Sequence, residues 1–395
     1  MYQVPDAISS LQQQHLVQAV VIADMLQVDY VAQQALQALS IAAGAAQGLA
    51  SETLQAMASL ETWPAGLKQL LPLLVKHSAC CRDSAADLAA IRAADTGGLV
   101  QNMLVGALGD LQGVWSSAEE KALLLALPLP AMQLLLTSDL LRVPSEDTVL
   151  HTAAQYAQAQ LQPADKAAAK AALAPLIRAP QLSAYALCCA ALAAGSSQHL
   201  LGSYAQQLNG LQLLKMLASP EELITEAASI EGAPGSWGLG ARQIWPLADG
   251  VRLSWRVTVE QLKQACMDSS AGQKDVFIHS PGSPPMGGVA WCMRICCGQL
   301  EGGTVVGLYA GPAAGNLPAN SYHKFECTFT WQGVQRTLSS PCRNTRLSRG
   351  YPNYFILQPM SGGGWDEAAW AAAADSMPTT GEMLLQLHMH SVGAT

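Results

Sequence analysis

At 395 residues and 41.5 kDa, the chain is long enough for two or three domains with buried cores. Half of it is apolar and only 13% is charged, and a net charge of −8 with no Lys/Arg cluster between aromatics excludes binding to a phosphate backbone. The longest apolar runs, such as "ALLLALPLPAMQLLL", are broken by prolines and fall short of the roughly 20 residues that a membrane span needs.

The N-terminus, "MYQVPDAISSLQQQH", has neither a basic nor an apolar stretch, so no secretory signal is expected. Without one, the ten cysteines read as reduced thiols of the cytoplasm or nucleus. The adjacent pairs Cys80–Cys81 and Cys188–Cys189 fall in helical sequence, where neighbours diverge by about 100°. They are expected to be buried small hydrophobes rather than joint metal ligands.

Taken in order, the chain begins with two short helices. Leu16, Val17, Val20 and Val21 make one apolar face, Val31, Ala35 and Leu39 the other, and Asp29 is the expected cap between them. Further helices are expected over 51–60, 66–77, 84–95, 97–110, 117–125 and 130–137. Next comes "LLLTSDLLRVPSEDTVLHTAAQYA". Pro144 cannot extend the preceding helix, Ser145 is placed to cap the next, and Glu146 and Asp147 suit its first, dipole-positive turn. Val149, Ala153, Tyr156 and Ala157 should point inward. Another helix follows over 164–173, then a turn at Pro180 and one more packed helix. Alanine-rich, charge-poor sequence with these periods predicts an all-α array.

The composition shifts near Pro220, and "EGAPGSWGLGARQIWP" lies in the expected linker over 219–250. Beyond it, "VRLSWRVTVE", "GGVAWCMRICC", "TVVGLYAG", "KFECTFTWQG", "YFILQPM" and "EMLLQLHMHSV" alternate apolar and polar residues between Gly/Pro turns. These predict an antiparallel β-sandwich without long helical crossovers, interrupted by one short helix at "DEAAWAAAADS". The expected fold is thus α+β multidomain, an all-α array followed by a sandwich.

Little of the sequence carries chemistry. There is no G-x-S-x-G and no histidine placed as a base beside a nucleophile. The glycines of "GSWGLG" follow no hydrophobic strand and precede no helix, unlike a dinucleotide fingerprint. Glu119–Glu120 and Glu221–Glu222 stand at helix starts, where carboxylates offset the macrodipole rather than act as acid and base. His388 and His390 share a strand face by their spacing of two. With Cys292 or Cys296 they are the only candidate zinc ligands, but without C-x-x-C spacing a solvated strand end is expected. No catalytic residue, metal or cofactor is therefore assigned. Two non-enzymatic readings remain, an interaction adaptor or a sandwich that binds a small ligand or glycan.

The stretch "L-L-L-T-S-D-L-L-R-V-P-S-E-D-T-V" resembles the BACK domain of BTB/POZ–BACK proteins. Asp139, Val143, Ser145, Glu146 and Asp147 stand at matching places, with Tyr156 and Ala157 where the family has an aromatic–aliphatic pair. "LAPLIRAPQLSAYAL", with Arg178 and Pro180, resembles the segment that closes that domain, and "HLVQAVVIADMLQVDYVAQQALQAL" the last two helices of a BTB domain. The final part is similar to a MATH (TRAF-like) domain, through Trp255, Ser280–Pro281, "GGVAW", "VGLY" and "GGW". On this resemblance residues 1–45 are the end of a BTB domain, 46–218 a BACK domain and 251–395 a MATH-like sandwich. The resemblance implies a substrate-recognition adaptor of a cullin–RING ubiquitin ligase, whose BTB part dimerises and binds the cullin. Its earlier strands and helices are missing before "MYQVPDA", which implies a poorly anchored N-terminus. The target-binding residues would lie on sandwich loops, at Ser280, Pro281, Gly287 and Gly288 and at Asn316 and Tyr322.

Overall fold

A computed structural model describes residues 11–45, 48–83, 87–192, 199–242, 251–272, 274–283, 290–300, 303–313, 323–331, 334–342, 349–359, 366–374 and 381–394. Helices come first and two antiparallel four-stranded sheets follow, so the α+β plan stands. The chain forms two units, Met1–Gln181 with Ala194–Trp245, and Leu182–Ala193 with Pro246–Thr395.

The first unit opens with α1 (Gln13–Met25) and α2 (Asp29–Gly44), packed on each other. Leu16, Val17 and Val20 are buried on one, Ala35 and Leu39 on the other. Asp29 is the first residue of α2 rather than its cap; the chain turns at Gln27, whose φ of 55° is left-handed. Residues 1–10 lie outside the described part. From Gln13 onward the N-terminal segment is tied down, because the Gln13 Oε1 accepts a 2.8 Å bond from the Ala50 N–H.

Next come α3 (Ser51–Ala58), α4 (Ala65–Lys68), α5 (Leu71–His77), α6 (Leu88–Ala94), α7 (Leu99–Leu108), α8 (Leu111–Ser116), α9 (Ala118–Leu125) and α10 (Leu129–Thr137). The expected helix over 66–77 is split at Gln69–Leu70, with Pro72 in the first turn of α5. Gly106 lets α7 approach Trp63 closely. A Cβ there would sit 2.6 Å from the Leu60 carbonyl oxygen and 2.8 Å from the Trp63 Nε1. The Cys80–Cys81 pair lies in a 3-10 turn, not an α-helix. There the two Sγ atoms come within 3.7 Å, so the expected divergence does not hold, although both thiols are buried.

After the corner come α11 (Glu146–Ala159) and α12 (Pro163–Leu173), then α14 (Ala205–Leu217) and α15 (Pro220–Ala228); α13 (Ala184–Leu192) groups with the second unit. The described part of 219–250 is not a linker. A reciprocal Ser219–Glu222 capping box starts α15, as the acidic pair at 221–222 suggested. A 3-10 turn over Gly235–Gly238 then inserts Trp237, wholly buried, into the first unit. Burying a side chain of that size holds a glycine-rich segment in place. Among the described residues no single helix is long and apolar enough to cross a membrane.

The second unit contains β1 (Val251–Thr258), α16 (Val259–Gly272), β2 (Val276–His279), β3 (Trp291–Leu300), β4 (Gly303–Pro312), β5 (His323–Trp331), β6 (Val334–Cys342), β7 (Arg349–Pro359), α17 (Glu367–Ala374) and β8 (Glu382–Ala394). One sheet runs β1-β8-β5-β6, the other β2-β3-β4-β7. Alternation places Phe325, Cys327, Phe329, Leu385 and Leu387 of one sheet in a single core with Trp291, Met293, Ile295, Val306 and Leu308 of the other. Helix α16, β2 and β6 are absent from the sequence-based expectation. The expected strand ran two residues too far, to Glu260, since Val259 begins α16. The boundary is a capping box: the Gln261 N–H donates to the Thr258 Oγ1 and the Thr258 N–H to the Gln261 Oε1, each at 3.0 Å. Thr-x-x-Gln is a helix-start pattern, and Leu262, Ala265, Cys266 and Ser269 form its buried face.

Candidate functional site

The corner that opens α11 is built around a buried ion pair. Ser145 precedes the helix with extended backbone, but its side chain makes no capping bond. Glu146 does not serve the helix dipole alone, because its carboxylate lies wholly inside the unit. Its Oε1 accepts from the Arg178 N–H at 2.9 Å and its Oε2 from the Arg242 Nε at 2.8 Å. The remaining Arg242 donors reach the Ser138 carbonyl at 2.7 Å and the Leu176 carbonyl at 3.3 Å. One guanidinium thus joins the end of α10, the start of α11 and the turn after α12. The Arg178 side chain donates to the Gly240 carbonyl at 2.8 Å and forms an ion pair with Asp139. That arginine holds the Asp139 carboxyl below its ordinary range.

Of the other BACK-like positions, Val143 and Asp147 are buried, and Tyr156 donates its hydroxyl to the Leu127 carbonyl at 2.8 Å. The Pro180 carbonyl accepts from the Lys215 Nζ at 3.0 Å. The structure therefore brings Asp139, Glu146 and Arg178 together in one network and leaves Val143, Tyr156 and Pro180 as packing and anchoring positions around it. Arg242, its centre, was not among the sequence candidates. A lone arginine in glycine-rich sequence carries no period or motif, and only the chain's return to 138–146 makes it significant. The network holds the segments together, with Arg242 donating to Glu146, Ser138 and Leu176 and the Asp139 carboxylate at its exposed edge.

In the second unit, Ser280 and Ser283 extend β2 along β3. Their hydroxyls accept from the Met293 N–H at 2.9 Å and the Trp291 N–H at 2.8 Å. Ser280 is thus committed to the sheet, while Pro281 is exposed. Gly287, Gly288, Asn316 and Tyr322 lie outside the described residues.

The two histidines share the outer face of β8, their ring centroids 4.1 Å apart, and the His390 Nε2 bonds the Thr328 hydroxyl at 2.8 Å. Cys292 and Cys296 alternate away from the core on β3, in the other sheet. The two candidate pairs thus occupy opposite outer faces of the sandwich and cannot share an ion. Among the described residues no group of three or more His, Cys, Asp or Glu is placed to hold a metal.

A different cluster appears where edge strands β6 and β7 adjoin. The Tyr351 hydroxyl donates to the Thr337 carbonyl at 2.6 Å and the Tyr354 hydroxyl to the Val334 carbonyl at 2.7 Å. Over these rings lies Arg336, its guanidinium carbon 5.3 Å from the Tyr351 centroid and 4.7 Å from that of Tyr354. Burial pushes the Tyr354 hydroxyl above its ordinary pKa, so it stays a donor. Tyr354 opens "YFILQPM", which alternation marks as a strand, whereas Tyr351 precedes that stretch; β6, whose carbonyls both hydroxyls reach, was missed.

No protein-family model matches the chain, and no curated protein matches it.

Proposed function

We propose that the protein is a non-catalytic substrate-recognition adaptor of a cullin–RING ubiquitin ligase, working in the cytoplasm or nucleus without a cofactor. In this reading the BACK-like helices are a spacer and the MATH-like sandwich holds the target protein. A BTB module, of which residues 15–39 resemble the last two helices, dimerises and recruits the cullin.

The observation that carries the reading is the Arg336–Tyr351–Tyr354 cluster on the β6–β7 edges. Arginine and tyrosine are the residues most enriched where protein interfaces concentrate binding energy. An edge strand beside them can take up an extended target segment by backbone pairing.

The test is reconstitution of a BTB-extended chain with purified cullin–RING enzyme, scoring ubiquitin transfer to captured cellular proteins. Arg336→Glu is expected to abolish capture of those proteins while cullin co-elution persists. Failure of the extended chain to co-elute with cullin removes the ubiquitin assignment. Capture that is indifferent to Arg336→Glu removes the β6–β7 edge as its site.

A further inference from the structure

The first unit contains a cleft of about 770 Å³ that the corner network borders but does not fill. Its walls come from α6, α10, α12 and the turn around Gly235–Leu239. Most of the surface is apolar, from Leu88, Leu129, Pro175, Leu176 and the small side chains Ala168, Ala171 and Ala172. That size and lining suit a small molecule with an apolar body.

The polar groups in the wall are few and incompletely used. Gln133 is the one polar residue in the apolar run "LPAMQLLL" of α10, and it is only 5% exposed. It lines the cleft, and its amide has no hydrogen-bond partner among the described residues. The Gln133 amide atoms are not sealed from the cleft, so an acceptor held there can take their N–H bonds. Behind it, the buried Nε of Arg178 also lacks an acceptor. Arg92 stands exposed at the rim. The charged side chains lining the cleft are Arg92, Arg178 and Arg242 against Asp87 alone. The Asp87 carboxylate is already engaged, accepting from the Ala90 N–H at the start of α6 at 2.7 Å.

We propose that this cleft binds a small apolar monocarboxylate. Its hydrocarbon or aromatic body lies against the alanines of α12 and Leu129, and its carboxylate accepts from the Gln133 amide and faces Arg92. A monoanion fits better than a phosphate dianion, because Arg178 and Arg242 are already paired with Asp139 and Glu146 and Arg92, which acts on Asp139 only through the field between them, is left to answer a single ligand charge. The proposal does not depend on the adaptor reading.

The test is calorimetric titration of the intact chain with decanoate, and with decanol as the uncharged control. Decanoate is expected to bind one to one, at least tenfold more tightly than decanol. Gln133→Leu should weaken decanoate about tenfold with little change in melting temperature, since leucine is close to glutamine in volume and suits the apolar wall. Arg92→Gln, at an exposed position, should weaken decanoate severalfold and flatten its salt dependence. Ala172→Phe, which fills the cleft, should abolish binding of both; if that variant does not fold, the other two still decide. Absence of decanoate binding overturns the proposal. So does equal affinity for decanol, or binding unchanged in Gln133→Leu and Arg92→Gln.

Discussion

Glu146 and Arg242 are 96 residues apart in sequence and meet at 2.8 Å with side chains 2% and 1% exposed. Removing one partner of such a pair strands the other charge in the interior, which costs about 3–5 kcal/mol. Arg242→Met is therefore expected to lower the urea midpoint of the first unit steeply. Adding Glu146→Gln should recover part of the loss, because a neutral amide needs no counter-charge and its oxygen still accepts from the Arg178 N–H. Urea melts of the single and double variants measure this coupling.

His151 packs edge-on to Trp115 at 5.0 Å between ring centroids. Burial, with Lys121 adding to it, pushes its pKa down from 6.5 to about 4. The imidazole is neutral when folded, while in the unfolded chain it takes up a proton below pH 6.5. Stability from this residue is complete above pH 6.5 and lost as pH falls toward 4, by roughly 3 kcal/mol. His151→Gln should flatten the dependence of unfolding free energy on pH between 4 and 6.5.

Tyr156→Phe removes the only described bond to the Leu127 carbonyl from a side chain. An unpaired buried acceptor costs about 1–3 kcal/mol, and the thermal midpoint should drop accordingly without change in helix content by circular dichroism.

Gly106→Ala puts a methyl group against the Leu60 carbonyl and Trp63. Overpacking of this kind costs about 1–3 kcal/mol, and a blunted Trp fluorescence transition would report it.

Cys297 lies in the sandwich core with its Sγ 3.4 Å from that of Cys266. Its close pairing with the Cys266 thiol, in which Cys297 keeps its proton, and burial raise its pKa above the ordinary thiol value, so little thiolate forms near neutrality. Iodoacetamide at pH 8 should leave Cys297 unlabelled in the folded protein and label it in urea, as read by mass spectrometry.

Much of the fold was legible along the chain. The apolar periods of α1, α2 and α11 and the alternation of β5 and β8 are local, and most of the residues they turned inward are buried, Val21 and Val31 being only half-buried. What was missed had weak local signals: α16 hides behind a strand-like start, and β2 and β6 are short or polar. The candidate sites were less legible. The corner motif 138–149 stands out by caps and charge, yet its meaning changed once Arg242 closed on it.

The sequence by itself determined the two-part architecture, because hydrophobic periodicity within a dozen residues decides which face of a helix or strand is buried. Only the tertiary structure decided that the glycine-rich segment before Gln243 belongs to the helical unit. It alone also joined Glu146 to Arg242 and left Gln133 unpaired in a cleft. Such pairings depend on segments tens of residues apart meeting in a dry interior, where one charge or amide must find its partner or go without.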